Sequence, residues 1–280
     1  EVITHAKKGV IADQFYAERL YNAEQLRALL QENGFEVLDA KPMSTVSKRN
    51  QDLGMMAQRI ILTARSNKRA AVRVEDDGTL LGINDRSQLA DAELEMRLRI
   101  NEAHMRAGVT MQDPATTYID ADVEIAEDVT LEPNVILRGQ TVIERDAVIR
   151  AGSQIFDTTI GERTVVWASV LEGSTVDEDV TIGPFSHVRK GAYIGPNVEL
   201  GNYAEVKNSN VGAGTKSHHF SYLGDADVGE KVNIGAGTIF CNYDGFLKHR
   251  TVIGPGAFIG SDSQMVAPVT IGENAYVATG

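Results

Sequence analysis

From residue 119 onward, aliphatic side chains return every six residues. They run Ile119, Ile125, Leu131, Leu137, Ile143, Ile149 and Ile155, then Val176, Ile182, Val188, Ile194, Leu200 and Val206, and finally Ile253, Ile259, Met265, Ile271 and Val277. This period is neither the 3.6 of a helix nor the 2 of an alternating strand. Small or β-branched residues stand four places after many of these positions (Val129, Val135, Ala147, Ser153, Ser186, Ala192, Ala204), and glycine often follows directly, as at Gly183, Gly195 and Gly201. Each hexapeptide therefore reads as one short strand and one tight turn. Three of them close a triangular coil of about 18 residues, so 119–280 holds about nine coils of a parallel β-helix with one continuous aliphatic core. A sandwich of short strands would instead space its signals about 8 to 12 residues apart, with hairpin turns.

Ahead of the repeats, "DRSQLADAELEMRLRINEAHMRAG" predicts a long helix. Leu89, Ala92, Met96, Ile100, Ala103 and Ala107 trace an apolar stripe, Asp85 is placed to cap the start and Gly108 to end it. Such a length suits a rigid connector between domains. Residues 1–66 stand apart: "NAEQLRALLQENGFEVLDA" predicts a helix feeding a strand, and "QRIILTAR" a further strand. That order is similar to the closing segment of a Rossmann-like methyltransferase, but no glycine-rich cofactor loop precedes it, so the segment is assigned no activity.

Composition narrows the function classes. The formal net charge of -12 disfavours a nucleic-acid partner, so an anionic small substrate needs a local cluster of cations. The longest apolar runs fall far below the roughly 18 residues of a membrane span. A single cysteine, Cys241, excludes an internal disulfide, and a cytoplasmic location is expected. The start at Glu1 rather than Met and the stop at Gly280 in mid-pattern suggest that both ends have been cut from something longer.

The period breaks twice in the C-terminal half, around "SNVGAGTKSHHFSYLGDADVG" and at "FCNYDGFLKHR". Insertions in a solenoid project from one edge, and projected loops are where sites are assembled. His218, His219, Tyr222, Asn242, Tyr243 and Lys248 lie in these breaks.

The strings "IGPFSHVRKGAYIG", "GNYAEVKNS", "KSHHFSYLGDADVGEKVNIGAGTIFCNYDG" and "GSDSQMVAPVTIG" resemble the acetyltransferase half of the bifunctional N-acetylglucosamine-1-phosphate uridylyltransferase/glucosamine-1-phosphate N-acetyltransferase family. The resemblance runs from about residue 67 to the end. It implies a mainly β chain with a left-handed parallel β-helix over 109–280, preceded by the end of a uridylyltransferase domain plus connecting helix over 67–108; the unassigned small α/β segment over 1–66 lies outside the resemblance. It further implies a homotrimer that acetylates the 2-amino group of glucosamine 1-phosphate from acetyl-CoA, within the supply of UDP-N-acetylglucosamine for bacterial cell-wall and lipopolysaccharide synthesis.

By this resemblance His219 is the proton acceptor. An imidazole, with a reference pKa near 6.5, suits the removal of a proton from an amine near neutrality. The sugar-phosphate contacts fall on Arg189, Lys207, Tyr222, Asn233 and Lys248, and the coenzyme A contacts on Ala236, Asn242, Tyr243, Ser261 and Thr279; the Asn242 amide can also hydrogen-bond a sugar hydroxyl or amine. Thr279 stands where the family usually has alanine, and the family's basic tail does not follow it. Asn84 matches the family's Mg2+ ligand, but neither its glycine-rich nucleotide loop nor its partner aspartate appears upstream. Mg2+ is therefore expected only with an intact uridylyltransferase domain.

Two other readings stand beside this one. A zinc-dependent hexapeptide hydratase of the carbonic anhydrase type would draw ligands from His187, His218, His219 and His249 of neighbouring subunits. A non-catalytic β-helix scaffold would need no chemistry.

Overall fold

The computed structural model describes residues 2–5, 9–13, 23–42, 60–66 and 83–280. Within the N-terminal unit, Val2–His5 pairs antiparallel with Gly9–Asp13, a hairpin that the apolar pattern did not announce. Helix α1 (Ala23–Glu32) leads into the strand Phe35–Pro42, which pairs antiparallel with Ile60–Ser66. The expected helix, strand, strand order is therefore present. Of the segment 67–108, residues 67–82 lie outside the described residues.

Helix α2 (Arg86–Arg106) starts where its cap was expected, with the Gln88 amide donating to Oδ1 of Asp85 at 2.9 Å. The apolar stripe does not behave as expected: Leu89 and Met96 are 44% and 50% exposed, and Ala103 and Ala107 are exposed too. The buried residue of this helix is instead Asn101, whose Nδ2 donates to the carbonyls of Pro114 (2.9 Å) and Thr117 (3.0 Å). Here the helix meets the backbone of the first coil, where a carbonyl acceptor rewards a donor more than a methyl group.

From Thr110 to Val277 the chain is the expected left-handed parallel β-helix of about nine coils. Its three sheets contain nine, ten and nine parallel strands, each strand pairing with those one coil before and after. The six-spaced side chains all point inward. Leu131, Leu137, Ile149, Ile155, Ile182, Val188 and Ile194 have no exposed surface, and each such burial contributes about 1.5–3 kcal/mol. The small residues four places on are buried as well, where only a small side chain fits inside a corner: Ala147 and Ser153 are 0% exposed.

Three faces can be named by their first strands: Tyr118–Ile119 opens the first, Glu124–Ile125 the second and Thr110–Met111 the third. The corner from the first face to the second varies most. It shortens by one residue between Ile155 and Ile160, Leu171 and Val176, Val206 and Val211, and Leu223 and Val228. It lengthens once, between Phe240 and Ile253.

The first break in the period is thus not an insertion, contrary to expectation. Residues 209–229 stay inside the coils, with a polar Ser217 taking the inward position and hydrogen-bonding Ser221 at 2.8 Å. Only "CNYDGFLKHR" projects, because the core requires each inward residue to return to register and surplus chain can leave only at a corner.

Candidate active site

Where the third face turns into the first, each coil places the residue two past its inward side chain on the outside of the corner. In four successive coils these residues are His219, Ala236, Ser261 and Thr279, following Ser217, Ile234, Ile259 and Val277. With Lys216 and Asn233 they line a cleft of about 260 Å3. His219 is exposed, makes no hydrogen bond or ion pair among the described residues, and stands edge-on to His218 with ring centres 6.4 Å apart. His218 is differently placed: its Nε2 lies 2.6 Å from Oε2 of Glu199, whose other oxygen meets Nζ of Lys216 at 2.8 Å. Hydrogen bonds from Lys216 and then His218 hold the Glu199 carboxyl below its ordinary value.

Below His219 the corner carries Phe185 and Tyr203, both more than half exposed and stacked at 5.5 Å. Both have positive φ (62° and 60°), a conformation that most other corners reach with Asp or Asn because bulky side chains are strained there.

A second set gathers on the first face. Nη1 of Arg189 lies 2.7 Å from Oε1 of Glu205, one coil up. Beyond it come Lys207, Tyr222 and Lys248. The neighbouring Lys207 side chain, like in charge, pulls Lys248 below the ordinary lysine value. The Tyr222 ring folds over Gly224, where any Cβ would stand 2.4 Å from the phenol oxygen. That contact accounts for the glycine in "YLGD". Asn242, 7% exposed, directs Nδ2 to the Tyr222 oxygen at 3.4 Å and to Oδ2 of Asp225.

The residues singled out in the sequence therefore divide into two sets. His219, Asn233, Ala236, Ser261 and Thr279 share the cleft; Arg189, Lys207, Tyr222, Asn242 and Lys248 share the neighbouring face. Asn233 lies with the residues read as coenzyme A contacts, and Asn242 with the sugar-phosphate contacts. Tyr243 belongs to the projecting loop, is 60% exposed and donates its hydroxyl to the carbonyl of Gly245 at 2.6 Å. The loop is tied by Asp244, whose Oδ1 accepts from the amides of Phe246 (2.8 Å) and Leu247 (2.7 Å) and whose Oδ2 faces His249 at 2.7 Å.

Glu199, Glu205, Lys216 and Asp225 were not singled out from the sequence. They belong to this site only because coils one repeat apart become neighbours.

The histidines considered for zinc do not come together within the chain. His187 faces Glu172, His218 faces Glu199 and His249 faces Asp244, and no group of three metal-ligating side chains forms among the described residues.

Residues 173–208 match the bacterial transferase hexapeptide (six repeats) family model. The chain is 51% identical over 220 residues to the bifunctional protein GlmU of Streptococcus equi subsp. zooepidemicus, covering 79% of this chain and 48% of that protein. It is 49% identical over 211 residues to the bifunctional protein GlmU of Listeria monocytogenes, covering 75% and 46%. The chain thus spans about half the length of the GlmU relatives it matches. Among solved structures it is similar to the UDP-N-acetylglucosamine acyltransferase of Arabidopsis, with 16% identity, a TM-score of 0.46, and coverage of 61% of this chain and 69% of that one. By repeat, coil geometry and sequence identity the chain is a hexapeptide-repeat relative of the GlmU proteins over about half of their length.

Proposed function

We propose that the chain transfers an acetyl group from acetyl-CoA to the 2-amino group of glucosamine 1-phosphate. The observation that carries this reading is the position of His219. An exposed imidazole without an internal partner begins a cleft whose further steps, Ala236, Ser261 and Thr279, rise one per coil. A narrow column of small side chains suits a long, thin thioester lying along the corner. Among the described residues the amide N-H groups of Ala236 and Ser261 donate to no group, which leaves them to meet its oxygens.

In the reaction, the neutral amine attacks the thioester carbonyl carbon. A C-N bond forms, the C-S bond breaks and the coenzyme A thiolate leaves. The amine's surplus proton passes to His219 and from there to the thiolate or solvent. A positioned base of this kind contributes roughly 10²- to 10⁴-fold. The phosphate is held by Arg189, Lys207 and Lys248, with the guanidinium offering a fork and the lysines point charges.

We place the protein in UDP-N-acetylglucosamine supply in the cytoplasm, as a homotrimer whose neighbouring copies complete the open cleft. No helix among the described residues is long and apolar enough to cross a membrane. Identities of 51% and 49% to GlmU proteins favour acetyl transfer over the hydratase. The test is free-thiol release on mixing the chain with glucosamine 1-phosphate and acetyl-CoA: turnover that depends on both is expected, and its absence refutes the reading.

A further inference from the structure

Asp225 is the carboxylate at the base of the sugar-phosphate set. Its corner has φ 52°, close to the 47°, 51° and 48° of Asp157, Gly173 and Asn208 at the other shortened corners. Asp157 and Asn208 are exposed, whereas Asp225 is only 6% exposed, so the turn alone does not require its burial.

Oδ1 of Asp225 accepts from Nδ2 of Asn208 at 2.6 Å, and Oδ2 accepts from Nδ2 of Asn242. Burial by itself would raise the carboxyl's pKa, but the hydrogen bonds from Asn208 and Asn242 and the charges of Lys207 and Lys248 outweigh it. The group is therefore an anion at neutral pH, and a carboxylate only accepts hydrogen bonds. Asn242 must consequently turn its NH2 group inward, where the second hydrogen points to the oxygen of Tyr222 at 3.4 Å. Both donors are then committed. Oδ1 of Asn242 accepts no bond from the chain and is not among its buried unpaired polar atoms.

We propose that Asp225 is a positioning residue for the acetyl transfer: it locks the Asn242 amide with Oδ1 outward, as an acceptor for an N-H or O-H of the amino sugar. This role rests on the acetyl-transfer reading. It assigns Asn242 to the sugar, and it selects substrates that present a donor at that point.

Two measurements on the full chain test it. In the wild-type protein labelled with 15N-asparagine, the Asn242 side-chain hydrogens should exchange slowly, and Asp225→Asn should abolish that protection. Exchange as fast as that of an exposed asparagine overturns the lock, and this arm needs neither turnover nor a variant. In thiol-release kinetics, Asp225→Asn should lower kcat/KM for glucosamine 1-phosphate about 10- to 100-fold, leaving the KM for acetyl-CoA and the unfolding midpoint unchanged. Asp157→Asn, at an equivalent exposed corner, should behave as wild type. A wild-type kcat/KM in Asp225→Asn overturns the positioning role. If the wild-type chain itself releases no thiol, the acetyl-transfer reading falls and the role with it, while the exchange measurement still decides whether Asn242 is locked.

Discussion

His218 and Glu199 are joined across one coil at 2.6 Å, and this pair separates the roles of two adjacent histidines. His218 is committed to a carboxylate already shared with Lys216, while the His219 ring has both nitrogens free of the chain. A base must be able to take a proton from substrate, and only the second ring is so disposed.

His219→Ala is therefore expected to lower thiol release by about 10²- to 10⁴-fold, with His218→Ala costing less than about tenfold. Steady-state assays of both variants check this, and equal losses would remove the distinction.

On the proposed reading the Lys248 ammonium meets a phosphate that does not react, so Lys248→Ala should raise the KM for glucosamine 1-phosphate about tenfold with little change in kcat. Loss of one like charge also relieves Lys207. The effect should shrink at high salt, as expected for an exposed cation.

Gly201 lies under the histidine corner, and a Cβ added there would stand 1.9 Å from the carbonyl oxygen of His218. Gly201→Ala should lower both the thermal midpoint and the turnover, since the backbone carrying His219 must shift. Gly272→Ala, with nothing within 4 Å of its Cβ, should be tolerated in the same scan.

In the core, Phe240 has no exposed surface and occupies the inward position just before the projecting loop. Phe240→Ala should cost about 3–5 kcal/mol in denaturant unfolding.

Asp244 ties the loop to itself, and amide hydrogen bonds from Leu247, then the His249 ring, then the Phe246 amide, lower its pKa to about 2. The folded value lies below the unfolded one, near 3.9, so its support is present at neutral pH. That support is lost as pH falls from about 4 through 2. The loop carrying Lys248 should loosen over this window, seen as faster amide exchange at Phe246 and Leu247, and Asp244→Ala should show the same loosening at neutral pH.

Much of this architecture was legible in the chain itself. Inward residues of a β-helix repeat at a fixed interval, so Ile119 to Ile155 announced coils, core and approximate coil number together. The cap at Asp85 and the strands near Phe35 and Ile60 were local signals of the same kind. The long helix was read correctly in extent but not in burial, because Asn101 is selected by two carbonyls 13 and 16 residues away rather than by its own neighbours. The break around His219 was read as a projection, yet a corner on either side of it is only one residue shorter, and the inward Ser217 is satisfied by Ser221.

What the order of residues determined by itself was the repeat and the motif-bearing side chains, since both are properties of spacing along the chain. Which of them share a site was decided only by folding. Residues 17 to 20 positions apart become direct neighbours in adjoining coils, and so Glu199 meets His218 and Asp225 meets Asn242. The small slips of one residue at the corners, accumulated coil by coil, set which side chains face each other, and no local pattern encodes that sum.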